Sequence, residues 1–487
     1  MQLSLLNFLS PSFRLRRLEI DRPSLHLIVY PDGSTNQPHP RRPQASSKTA
    51  IDKLFELHAG RIAVEQGSLH YENRAASFDY QQRYLPLDFS VHDALVSMEY
   101  VPGTFRASAF YRIQAGVDDF DLSRTVPRKD LDVHGGMQAT LDLGRSLVVL
   151  RSLRITAKSR GKESHALEIT GDLSDFTHPR WKADVHGDLD MRLIDPITGY
   201  PDAPEGLARL DLTASGQNSA FRIDGSVHVD HGSYIGEGVI ARDITLDTHV
   251  HADQKELDIT QIVARLRQGG QIEGSIALTP WLPMAPLAHP QATIGAENLP
   301  ADRNALVRAP DWMIPVNGKV AAEFKGVALD TVLDMVCRPA YRRLGVDARL
   351  NGSALALWTQ GDASTVSVAA KLALSPSRQT PAGEAPTNGA VDATYFQGSG
   401  SVDVRNLEVH LPASDLVAHG VIGAYPVARP SSLAISFHSS NLGELNTALR
   451  SLGFRRDGKS GTAALPVSLA GQADFHGSWT GSLARPH

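Results

Sequence analysis

Residues 244–278 read ITLDTHVHADQKELDITQIVARLRQGGQIEGSIAL. In Ile244 to His251 the apolar residues Ile244, Leu246 and Val250 alternate with Thr245, Asp247, His249 and His251, and Ile272 to Leu278 alternates in the same way. A period of two puts successive side chains on opposite faces of a strand, so each segment has one greasy face and one wet one. Asp253-Gln254 and Gly269-Gly270 supply turns. The pattern continues outward in Leu210 to Ala214, Phe221 to Val229, Val366 to Leu374, Val402 to Leu411 and Leu433 to Phe437, with hardly any long helix between. Sheets in enzymes normally alternate with helices that bury their apolar faces. A long sheet without them suggests a surface made for lipid. The expected fold is therefore mainly β: an elongated, twisted and curled antiparallel sheet that forms a hydrophobic groove, with a few short helical insertions. The shared phase within each strand assigns the groove lining to Ile62, Val64, Ile223, Val227, Val229, Leu246, Val250, Ile272, Ile276, Val366, Val368 and Leu372.

Composition narrows the classes. Lys plus Arg is 48 against 53 for Asp plus Glu, a formal charge of -5 that leaves no electrostatic footprint for nucleic acid. The single Cys337 excludes an internal disulfide and a multi-cysteine metal site. No run approaches the roughly 18 consecutive apolar residues of a membrane span. Residues 1–9 reach Arg14, Arg16 and Arg17 without the basic leader and apolar stretch of a signal peptide.

Along the chain, Leu15 to Ile20 and Leu25 to Val29 read as strands broken at Pro23. Gln37 to Ser47 reads as a solvated linker, and Lys48 to His58 as a short helix stopped by Gly60. Ile62 to Tyr71 reads as a hairpin turning at Gln66-Gly67, and a further turn is expected at Gly135-Gly136. Helical insertions are expected at Asp302 to Arg308, Leu329 to Leu344 and Leu442 to Leu452, and a flexible loop at Ser375 to Asn388. Two regions follow: 1–125 with the linker and short helix, and 126–487 as a repetitive β-groove that stops as though truncated.

The stretch LRRLEIDRPSLHLIVYPDGSTNQP, Leu15 to Pro38, resembles the opening of AsmA-like proteins and of the TamB family, the inner-membrane subunit of the translocation and assembly module. The Asp32-Gly33 turn followed by Asn36 carries the likeness. AGRIAVEQGSLHYEN, Ala59 to Asn73, looks like that family's next hairpin, and Gly232 to Leu278 has its rhythm. The resemblance implies a periplasmic groove, anchored in the inner membrane, that conducts phospholipid between the inner and outer membranes or assists outer-membrane protein assembly and secretion. The partners it implies are phospholipid acyl chains and, through a C-terminal region absent from this chain, an outer-membrane barrel protein. The family's N-terminal membrane helix is also absent, so a fragment is expected.

No catalytic constellation stands out. His249, His251 and Asp253 project from one strand at i, i+2 and i+4 with Asp247 beside them, and imidazole with carboxylate suits zinc. However, the row is the wet face opposite Leu246 and Val250, and no metal is expected there. Asp118, Asp119 and Asp121 lack the spacing of a calcium loop and read as a loop surface. Gly236, Gly238 and Ala241 fit a loose dinucleotide fingerprint, but a strand and not a helix follows them. Cys337 reads as a small buried hydrophobe on a helix. Neither an enzyme nor a cofactor is expected. An antiparallel sandwich would give the same alternation with dry faces, and a β-rich scaffold or adhesion protein that binds other proteins is the alternative function.

Overall fold

The computed structural model describes residues 2–3, 15–30, 34–36, 50–57, 59–73, 87–105, 108–123, 133–159, 165–193, 204–218, 220–236, 239–281, 317–336, 345–424, 429–446, 455–456, 459–460, 468–482 and 485–486. Of these, 73% are strand and 7% helix, too little helix to cover the strands; the long strands belong to a mixed sheet that is not closed. Among the described residues no helix is long and apolar enough to cross a membrane. The chain divides into two units, 1–203 with 207–225 and 285–312, and 204–206 with 226–284 and 313–487. Residue 125, where the sequence suggested a boundary, lies outside the described residues.

The first unit begins with β1 (Gln2–Leu3), β2 (Leu15–Asp21) and β3 (Ser24–Val29), followed by the helix Ala50–Leu57 and β4 (Arg61–Asn73). It continues through β5 (Leu87–Val101), β6 (Phe110–Ser123), β7 (Val133–Leu143), β8 (Leu147–Ser159), β9 (His165–Ser174), β10 (Arg180–Asp190) and β11 (Glu205–Gln217). From β4 to β11 each strand pairs antiparallel with the next. The purely antiparallel expectation is corrected at the start: β2 and β3 both run parallel to β4, broken from one another at Arg22 (φ 49°) and Pro23.

The expected hairpin at Ile62 to Tyr71 is instead the single strand β4. Gln66 has φ 52° and Asp93 on β5 has φ 53°, the positive-φ signature of a bulge. One extra residue on β4 is followed by one on β5, so Val64 opposes Val96 and Leu69 opposes Val91 with the register restored. A bulge flips the parity of the side chains and so imitates a turn in sequence. Gly135-Gly136 likewise lies inside β7, and Asp118, Asp119 and Asp121 lie in β6 and not on a loop.

β12 (Ala220–Gly236) is divided between the units. The second unit holds β13 (Val239–Asp253), β14 (Leu257–Leu266), β15 (Gln271–Thr279), β16 (Asn317–Ala328), the helix Leu329–Val336, β17 (Val346–Asp347), β18 (Arg349–Trp358), β19 (Ser367–Ser375) and β20 (Ala385–Pro386). Then come β21 (Asn388–Phe396), β22 (Ser401–His410), β23 (Ser414–Gly423), β24 (Pro430–Ser439), β25 (Arg455–Arg456), β26 (Lys459–Ser460), β27 (Ala473–Ser482) and β28 (Arg485–Pro486). Antiparallel ladders run β13-β14-β15-β16-β18-β19-β21-β22-β23-β24-β27. Turns stand at Asp253 to Glu256 and at Gly269-Gly270.

The stretch Ser375 to Asn388 is a loop held at two places. β20 pairs parallel with β17, and Asp347 Oδ2 accepts from Ser377 N at 2.9 Å and Ser377 Oγ at 2.6 Å. The helix expected at Leu329 to Leu344 is described only over Leu329–Val336, and Cys337, Gly238 and the Asp302 to Arg308 helix lie outside the described residues. The expected Leu442 to Leu452 helix opens with a 3-10 turn at Leu442–Glu444 capped by Asn441 and goes on as α-helix at Leu445 and Asn446, with residues 447–452 outside the description.

Candidate functional site: the apolar face of each unit

Residues directly opposite one another in an antiparallel ladder share a face, so strand register traces each face without appeal to shape. In the second unit one row runs Val250, Ile259, Ile276, Val320, Ala356, Val368, Tyr395, Val402 and Ile422. A second runs Leu246, Ala264, Ile272, Phe324, Gly352, Leu372, Val391, Leu407, Ala418, Ile435 and Gly477. Neither row carries a charge. The neighbouring row on the opposite face reads Asp247, Val263, Glu273, Glu323, Ser353, Lys371, Asp392 and Asn406. Its acids pair with basic residues beside the row: Glu273 with Lys325 at 2.6 Å, Asp247 with Arg265 at 2.6 Å, and Asp392 with Arg405.

The rows survive the bulges. Gln261, with φ 52°, is the extra residue on β14, so Ile259 and Ile262 oppose Ile276 and Gly274 on one face although they are three apart. Leu246, Val250, Ile272, Ile276, Val368 and Leu372 thus come together on one face of the unit. Val366 precedes β19, and its carbonyl accepts from Gln397 N at 2.9 Å. Val227 and Val229 alternate with His228, whose Nδ1 lies 2.6 Å from Asp247 on the charged face, and they therefore turn toward the Leu246 side. Val229 is buried, at 4% exposure.

The first unit repeats the arrangement independently. Val64, Val96, Ala115, Ala139, Leu153, Ile169, Val185 and Leu212 form one row, and Ile62, Met98, Ile113, Leu141 and Leu150 the next. Ile223 stands on the part of β12 that belongs to this unit, between Arg222 and Asp224, which pair with each other at 2.6 Å. On the opposite face Asp142 takes both Arg112, at 2.9 Å, and Arg151, at 2.6 Å.

Depth of burial separates an open face from a dry core. All nine side chains of the Val250 to Ile422 row are half-buried, neither sealed nor freely exposed. Burial is complete at Ala418 in the second row and beside the helices. In the first unit Phe55 of the helix Ala50–Leu57 meets Tyr111 edge-on at 5.0 Å, and Tyr111 Oη donates to Leu54 O at 3.1 Å. In the second unit the helix Leu329–Val336 contacts β13 and β16, and Leu266, Val327 and Leu350 are buried at that end of the strands. Beside that helix lies a cavity of about 1040 Å³ with a polar lining that includes Asp330, Asp334, Asp347, Arg349, Arg378 and Glu384.

The wet-face residues regroup on folding. His251 and Asp253 converge with Glu256 and not with His249, which stands opposite Thr260. Asp247 serves His228 and Arg265. A second cluster, His26, His70 and Glu72, escapes sequence reading because it depends on the parallel pairing of β3 with β4. Comparison of the chain with protein-family models, curated proteins and solved structures found no match.

Proposed function

We propose that the chain conducts or shelters phospholipid acyl chains along its open apolar faces, as part of a cell-envelope assembly between inner and outer membranes. The observation that carries this reading is the half-buried, uncharged Val250 to Ile422 row across nine strands. Moving an acyl chain through water costs about 0.8 kcal/mol per exposed CH₂, roughly 12 kcal/mol for a chain of about sixteen carbons. A continuous apolar strip removes most of that cost and asks for no reactive residue. The likeness of residues 15–38 and 59–73 to AsmA-like and TamB proteins supports the periplasmic setting and a second role in outer-membrane protein assembly.

The test uses a photo-crosslinking side chain at Ile276 or Val320 on the apolar row and at Lys371 or Glu323 on the charged row, in cells and with purified chain plus vesicles. Lipid adducts from the apolar row alone are expected. Equal labelling of both faces, or none from either, overturns the reading. Adducts to a protein from the apolar row would favour the scaffold alternative.

A further inference from the structure

Ser24-Leu25-His26 on β3 and Ser68-Leu69-His70 on β4 are the same tripeptide, and the parallel pairing sets them in register: Ser24 against Ser68, Leu25 against Leu69, His26 against His70. The leucines take one face and the histidines the other. The two imidazoles meet edge-to-face with centroids 4.6 Å apart. Glu72, two residues beyond His70 on the same face, brings a carboxylate oxygen to 3.7 Å from His26 Nε2. One donor atom from each of His26, His70 and Glu72 lies within 4.8 Å of the others.

We propose that His26, His70 and Glu72 form a zinc-class metal site that clips β3 to β4. Two imidazoles and one carboxylate are a borderline-soft donor set suited to Zn²⁺, which takes three protein ligands and leaves a fourth position to water. Tetrahedral bonds of about 2.0–2.1 Å put ligand atoms a little over 3 Å apart. The His26 to Glu72 spacing is already close to that, and a small rotation of half-buried or exposed side chains closes the rest. Ser90 on β5 lies opposite His70, and its Oγ is 2.8 Å from His70 Nδ1. This is the outer partner that metal-binding histidines use to hold ring plane and tautomer: donation from Nδ1 keeps the ligating lone pair on Nε2.

One contrast within the molecule favours this cluster. In the other candidate cluster, Asp253 Oδ1 is committed to the backbone N–H groups of Lys255, at 2.6 Å, and Glu256, at 2.9 Å, and so closes a turn.

The experiment is a zinc titration of the untagged chain against a chromogenic chelator, with Co²⁺ substitution read by its visible spectrum and melting followed with and without Zn²⁺. One high-affinity equivalent, a tetrahedral Co²⁺ spectrum and a zinc-dependent rise in melting temperature are expected. His70→Ala and Glu72→Gln should each weaken binding at least tenfold, and Ser90→Ala should weaken it less while leaving metal-free melting nearly unchanged. His251→Ala is the control that should change nothing. Binding that survives both ligand substitutions, or no binding above that of scattered surface histidines, overturns the proposal. Loss of the site in His251→Ala assigns the metal to the other cluster and equally overturns it.

Discussion

Ile259 and Ile276 stand directly opposite each other on β14 and β15, both half-buried, on the face away from Asp258 and Ala277. Val229, on the same side of the unit, is 4% exposed. The pair and the single valine differ in access to water, and that difference separates two otherwise similar substitutions.

Ile276→Asp should keep the fold, losing about 1–2 kcal/mol of partial apolar burial, while lipid crosslinking falls sharply. Val229→Asp should cost about 4 kcal/mol or more, because an unpaired carboxylate has no water or partner there. Thermal melting and lipid crosslinking on both variants check the contrast. Equal destabilisation would mean that the Ile276 row is sealed.

The helix Ala50–Leu57 should depend on Phe55 more than on its hydrogen bond to the sheet. Phe55→Ala removes a side chain 2% exposed and should cost about 3–5 kcal/mol. Tyr111→Phe removes the bond to Leu54 O and the backbone hydrogen bond from Ala59, worth about 0.5–1.5 kcal/mol each. Denaturant melts of the two variants give the ratio, and hydrogen exchange at residues 54–57 shows whether the helix loosens first.

Gly318 and Trp358 are cross-strand partners, and the indole lies over the glycine so closely that a Cβ there would overlap the ring. Trp181 covers Gly216 in the same way in the first unit. An aromatic ring laid across a strand glycine restores the packing the glycine lacks. Gly318→Ala should displace Trp358, shift its fluorescence and cost about 1–3 kcal/mol; an unchanged emission spectrum would contradict the arrangement.

The charged face should give stability with opposite pH slopes at two places. The hydrogen bond from Arg112 holds the Asp142 carboxyl below the usual carboxylate range, and Arg151 adds to it. A depressed folded pKa stabilises above the unfolded value of about 4 and is lost as pH falls through the folded one. The hydrogen bond to Asp247 raises the His228 imidazole above its ordinary value, with Asp230 adding. That stabilisation is complete below the unfolded pKa of about 6.5 and is lost as pH rises through the folded one. Urea midpoints across the pH range should lose acid-side dependence in Asp142→Asn and alkaline-side dependence in His228→Gln.

The period-two alternation of Ile244 to His251 and Ile272 to Leu278 already determined that these are strands, which side of each is apolar, and that few helices intervene, because side-chain direction in a strand follows from covalent geometry alone. The helix at residues 50–57 was legible for the same reason, from local spacing and Gly60. The tertiary structure decided what rests on register. Bulges at Gln66, Asp93 and Gln261 reverse parity within a strand, so β4 looked like a hairpin and Ile259 and Ile262 share a face although three apart. Parallel pairing of β3 with β4 joined His26 to His70 across 44 positions, and β17 with β20 pinned one end of a Pro-rich loop. Hydrogen-bond partners between distant segments leave no periodic trace in the chain, since any strand offers the same donors and acceptors; only the packed sheet selects which strand answers them.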